Sequence, residues 1–180
     1  MIEPFPGATL DAELSHRLRH FTDAKGEIQG VFFAFAHNPT LTEQFRSTTV
    51  ALLRDGLLAA RDRELVILRT VFRCGAEAEW ATHTRLFAEE AGLDARQLEA
   101  LCDVGSLLVF DANERDLVAI ADQLHDGTVL DSPLRDAVLE RYGPAALVEI
   151  VALVAHYRWA STMTLIAGVD SDDEWSFPTA

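Results

Sequence analysis

The chain has 180 residues, 29 acidic against 15 basic, for a formal net charge of −14, with 49% hydrophobic and 24% charged residues. A chain of this length buries about 70% of its unfolded surface and needs no disulfide staples, and the mixture is that of a folded chain, not a disordered one. The single lysine, Lys25, and 14 dispersed arginines exclude a general binder of nucleic acid or of anionic membranes, since either task requires clustered cations.

The opening Met1-Ile2-Glu3-Pro4 has no basic flank and no apolar segment after it, so no secretory signal is read there. Helices are predicted over 11–24, 27–37, 40–55, 61–74, 77–91, 94–101, 111–125, 133–142 and 144–167 from apolar periodicity and helix punctuation. Thr40-x-x-Glu43 after Pro39, Asp94-x-x-Gln97 and Asp111-x-x-Glu114 read as capping boxes. Gly56 and Gly92 fall where left-handed caps are wanted, and Gly75 lets the chain turn between two antiparallel helices. Pro133 and Pro144 occupy expected first helical positions. The last helix, from Ala145 on, is apolar on all sides, as in a central helix or one shared with another subunit. The longest apolar runs, Val31–Ala36 and Ile150–Ala155, are six residues each, against roughly 20 for a membrane span. With no strand alternation, the expectation is an all-α multi-helix bundle: one domain over 1–168 and a solvated acidic tail over 169–180. Trp175 and Phe177 in that tail could dock on a surface that the sequence does not identify. Cys74 and Cys102 form no paired spacing, so a reduced, cytoplasmic chain is expected.

The residues that could carry chemistry lie on two adjacent helices. Glu64 is in line with Leu68 and Val71, one and two turns on, and so points with the apolar stripe. A carboxylate there must be paired or protonated; Arg61 or Arg85 would be its structural partner. On the next helix Trp80, Ala81, Thr84, Phe87, Ala88 and Ala91 form the buried face, with Glu79 and His83 as an i,i+4 pair on its flank. Such a pair is ordinarily a surface pair worth a few tenths of a kcal/mol. Two ligands make no metal site, so no metal is expected.

Arg63-Glu64-Leu65-Val66-Ile67-Leu68-Arg69, then Gly75, Glu79-Trp80-Ala81-Thr82-His83 and Ala91-Gly92-Leu93 resemble the carboxymuconolactone decarboxylase family, which includes the alkylhydroperoxidase D-like proteins. His37-Asn38-Pro39 and Val154-Ala155-His156-Tyr157 are weaker likenesses flanking that core. The redox branch of the family resembles Glu, eleven residues, Cys, two residues, Cys, three residues, His. Counted from Glu64, the cysteine slots fall on Ala76 and Glu79 and the histidine slot on His83. Without the two cysteines, thiol-based peroxide reduction has no mechanism here, and the chain is similar to the decarboxylase-like branch instead.

The resemblance implies a cofactor-free acid–base enzyme acting on a small carboxylated or oxygenated ring or lactone. His83 would be the general acid/base, Glu79 its orienting partner, and Glu64 a second proton carrier or the group that fixes substrate polarity. With the two helices antiparallel across Gly75, His83 and Glu64 are expected adjacent in one cleft, with Glu79 at its edge. Trp80, His156 and Tyr157 are the candidate substrate-binding residues, although Trp80 also reads as core and a buried His156 as a structural group. His16, His20 and His125 read as surface positions. A homo-oligomer, trimer or hexamer, is expected from the resemblance and from the last helix. The competing readings are a thiol peroxidase and a non-catalytic oligomeric binding protein.

Overall fold

A computed structural model describes residues 9–23, 25–127, 129–169 and 177. They fold into eight helices: α1 (Ala12–Leu18), α2 (Val31–Phe35), α3 (Pro39–Arg54), α4 (Ala60–Cys74), α5 (Glu77–Phe87), α6 (Ala95–Leu101), α7 (Ala112–His125) and α8 (Ser132–Ala167), with a 3-10 segment at Val104–Val109. The architecture is all-α; among the described residues the sheet-like pairing is one antiparallel bridge between Thr22 and Ile28. None of the described helices is long and apolar enough to cross a membrane.

Helix α4 is the centre. Every residue from Arg63 to Val71 is buried, and the helix packs against α5, α6, α7 and α8. Burying Arg69 completely is tolerable because its guanidinium is saturated. Nε and Nη2 reach both oxygens of Asp122 on α7 at 2.7 and 3.0 Å, while Nη1 donates to the Leu101 carbonyl on α6 at 2.6 Å. This bidentate pair fastens three helices at one point. Gly75 ends α4 at φ 70°, the left-handed conformation that glycine adopts without a Cβ penalty. Ala76 N–H then donates back to the Val71 carbonyl, and α5 starts at once.

Local chemistry sets the boundaries. Both Asp94 and Asp111 form reciprocal capping boxes. Helix α3 is capped two residues earlier than the expected Thr40 box: Asn38 accepts from Leu41 N–H, Pro39 takes the first position, and Glu43 pairs with Arg46. The helix expected to run to residue 24 stops at Leu18, because Asp23 accepts from the backbone N–H of Lys25 and Glu27 and so offers the chain a turn in place of a helix. Gly56 is not a left-handed cap. The Glu149 carboxylate lies 2.6 Å from where a Cβ of residue 56 would stand and accepts from Leu57 N–H (2.6 Å) and Leu58 N–H (3.1 Å).

Helix α8 breaks at Gly143 (φ 79°, ψ 171°) before Pro144, so it comprises two helices, as the Gly-Pro pair suggested. Its second part is apolar all round but only one side is covered. Ile150, Leu153, Val154, Tyr157 and Ala160 are buried, whereas Val148, Val151, Leu165 and Ile166 are 41–70% exposed. The acidic tail lies outside the described residues apart from Val169 and Phe177. Phe177 packs edge-on against Phe72 and Trp80.

Candidate functional site

Helix α5 and the turns that follow it carry two stripes. Trp80, Thr84, Ala88 and Ala91 are buried against the core, while Glu79, Thr82, His83, Leu86, Phe87 and Glu90 line a cavity of about 470 Å³. The second set is spaced i, i+3, i+4, i+7, i+8, i+11, the spacing of one helical face. The opposite walls come from α2 (Val31, Phe32), α3 (Phe45, Thr49, Leu53, Arg54), Arg63 of α4, and His156, Tyr157 and Ala160 of α8. Exposed side chains of His20, Arg54, Leu86 and Glu90 form part of this lining, so the cavity opens to solvent. His20, read as a plain surface position, belongs to this rim.

The partner of His83 is Glu64 of α4, not Glu79. His83 Nδ1–H donates to Glu64 Oε2 at 2.8 Å, which leaves Nε2 for the cavity. Glu64 is fully buried and carries no exposed charge of its own, because its other oxygen, Oε1, accepts from Arg63 Nε at 3.1 Å. The structural arginine is thus the adjacent Arg63, not Arg61, which pairs with Glu114, nor Arg85. Glu79, one turn from His83 along α5, accepts at Oε1 from the Thr164 hydroxyl of α8 at 2.8 Å. Aromatic rings hold the imidazole from two sides: Tyr157 edge-on with centroids 4.8 Å apart, and Phe87 at 5.1 Å.

The second imidazole is held differently. The Thr49 hydroxyl donates to the Phe45 carbonyl (2.9 Å), so it must accept from His156 Nε2–H (2.9 Å). That bond fixes the tautomer and places the lone pair on Nδ1. Phe45 stacks on the ring at 4.5 Å. Burial first, and then the neighbouring His83, push the His156 pKa down to about 4, so this ring is neutral near pH 7. Burial, together with the charges of Glu64 and Glu79, holds the Tyr157 phenol well above its ordinary range; it stays a protonated donor on the cavity wall.

Of the expected substrate-binding residues, His156 and Tyr157 line the cavity. Trp80 does not: it is 1% exposed and its indole meets Phe177 on the core stripe. Neither thiol lines the cavity either. Burial raises the Cys74 thiol and takes Cys102 up to about 12, so both favour the unreactive protonated form. Sequence reasoning missed Arg63, Thr49 and Thr164 as site members. Arg63 was visible beside Glu64, but adjacent helix positions do not ordinarily face each other, so spacing gave no sign of their contact.

Comparison with known proteins places this geometry in context. The chain resembles the solved structure of a cysteine-to-alanine variant of the debrominase Bmp8 in complex with 2,3,4-tribromopyrrole, with TM-score 0.78 and 14% identity over 96% of this chain and 95% of that one. It also resembles an uncharacterized peroxidase-related protein from Silicibacter sp. TM1040, with TM-score 0.76 and 14% identity over 99% and 100%. No curated protein matches the sequence. The model of the carboxymuconolactone decarboxylase family matches residues 39–123. That stretch runs from the first residue of α3 into α7 and carries the Glu64–His83 pair, so the candidate site lies within the part of the chain that is similar to the carboxymuconolactone decarboxylase family.

Proposed function

We propose that the protein is a cofactor-free acid–base enzyme acting on a small carboxylated or oxygenated ring or lactone, working as a homo-oligomer. The observation that carries this reading is the buried Glu64 carboxylate bonded to His83 Nδ1 behind a cavity that His83 itself lines. A cavity near 470 Å³ suits a ligand of one or two rings, and tribromopyrrole in the Bmp8 complex is a planar ring of that class.

For a decarboxylation, the C–C bond to the carboxylate breaks, CO₂ departs, and the electron pair remains on the ring carbon, delocalised into the lactone or a conjugated carbonyl. His83 Nε2–H delivers a proton to that carbon. Glu64, fixed on Nδ1–H, holds the ring orientation and stabilises the imidazolium before the transfer. Tyr157 lines the same cavity and its phenol O–H is the group available to donate to a ring oxygen. A thiol peroxidase finds no support in the two protonated thiols away from the cavity.

The test is CO₂ release and loss of ultraviolet absorbance with carboxylated butenolides as substrates. Wild-type protein should turn over at least one of them, and His83→Gln should slow it by about 10² or more, the usual contribution of a general acid. The same variant should change stability by less than about 1.5 kcal/mol, because packing is retained. No CO₂ from the wild type, or full activity in the His83→Gln variant, overturns the reading.

A further inference from the structure

We infer that Arg63 is the anion-recognition residue of the cavity, so that the ligand is an anionic, carboxylate-bearing ring and not a neutral oxygenated one. This inference rests on the acid–base reading of the same site and narrows its substrate class.

Arg63 is 8% exposed and lines the cavity. Two of its three nitrogens are committed: Nε to Glu64 Oε1 at 3.1 Å and Nη1 to the Leu53 carbonyl at 3.1 Å. Nη2 has no hydrogen-bond partner among the described residues. A guanidinium so deeply buried normally has its donors satisfied, and an unused pair of N–H groups in a cavity is a preformed cradle for a carboxylate oxygen. The group is also immobile. Glu64 and Leu53 hold two corners, and Phe87 lies beneath the guanidinium carbon at 5.9 Å.

The polarity of the cavity gives the ligand a direction. Glu79, His83 and Phe87 are successive turns of one face of α5, each about 6 Å along the axis from the next. Arg63 sits at the Phe87 end and the Glu79 carboxylate at the other, with His83 between them. Arg54, next to Leu53, and Glu90, three residues beyond Phe87, add one exposed charge of each sign at the mouth, so the buried Arg63 and Glu79 set the polarity inside. An anionic group is drawn to Arg63 and repelled by Glu79, which leaves the ring beside His83. Glu64 binds Arg63 through one oxygen and His83 through the other, so the recognition group and the proton-transfer group share one rigid mount.

Benzoate and benzamide are near-isosteric planar rings that differ in charge and carry nothing for the site to react with. By titration calorimetry, wild-type protein should bind benzoate at least about tenfold more tightly than benzamide, in keeping with the strength of a charge-assisted bond. Arg63→Gln should bring benzoate down to the benzamide level and leave benzamide unchanged. Arg63→Lys, which keeps the charge but loses the fork, should fall between; it also serves if the glutamine variant does not fold. Equal binding of the two compounds by the wild type, no benzoate binding at millimolar concentration, or a folded Arg63 variant with wild-type benzoate affinity would each overturn the inference. The readout is equilibrium binding, so it stands or falls independently of turnover: loss of selectivity with CO₂ release intact removes this inference alone, and selectivity without CO₂ release removes only the acid–base reading.

Discussion

Protonating His156 would put a charge into a buried ring whose Nε2–H already serves Thr49, and the unfolded chain imposes no such restriction. The folded pKa near 4 lies below the ordinary value of about 6.5, so between those values the unfolded state binds more protons. The stability this contributes is complete above about pH 6.5 and is lost as pH falls towards 4, by up to about 3 kcal/mol. Urea midpoints measured across that window should fall less steeply for His156→Gln than for the wild type; parallel curves would contradict the assignment. Glu64 gives a second residue-scale prediction. Glu64→Ala strands the buried Arg63 and should cost about 3–5 kcal/mol, whereas Glu64→Gln keeps an acceptor and should cost about 1–3 kcal/mol. Thermal unfolding of the two variants separates them. Both Glu64 and His83 were legible in the sequence, one from its place on an apolar stripe and both from the family pattern. Their adjacency was legible as well, because two antiparallel helices joined at Gly75 bring both side chains into one cleft. What spacing did not give is which acid takes the bond to Nδ1: the i,i+4 rule finds neighbours on one helix and so named Glu79 as the orienting partner, where Glu64 holds the ring.

At the scale of elements, the turn between α3 and α4 depends on an acid 91 to 92 residues further on. Glu149 of α8 accepts from two backbone N–H groups there, and Gly56 leaves the room for it. A Cβ at position 56 would stand 2.6 Å from Glu149 Oε1 and 2.8 Å from the Leu52 carbonyl, and the carbonyl belongs to backbone that cannot swing aside. Gly56→Ala should therefore destabilise the fold by about 1–3 kcal/mol, the range for losing buried hydrogen bonds, as read from denaturant midpoints. A loss below experimental error would show that the turn yields. The existence of the long helices was legible because periodicity, Asp caps and the Gly143-Pro144 break agree with one another. What escaped was local competition: the Asp23 turn that ends α1 early, the Asn38 cap that displaces Thr40, and the close approach at Gly56, which needs knowledge of Glu149.

The whole molecule leaves one side of α8 uncovered. Val148 and Val151 are exposed by 70% and 41%, and Leu165 and Ile166 by 52% each, on a helix whose opposite side completes the core. A proposed homo-oligomer, a trimer or hexamer, would bury this stripe, as obligate interfaces resemble a divided core. Light scattering at micromolar concentration should then give a multiple of the 19.9 kDa chain mass, and Val148→Asp with Val151→Asp should reduce that mass. A monomer in the wild type would remove the proposal. Helix α5, finally, keeps its two duties on separate edges. Substitutions along Glu79, Thr82, Leu86 and Glu90 alter what meets the ligand, while Trp80, Thr84, Ala88 and Ala91 go on anchoring the helix. A descendant of this chain can therefore change its chemical diet through the first series without renegotiating its architecture through the second. Only His83, tied across to α4, belongs to both histories.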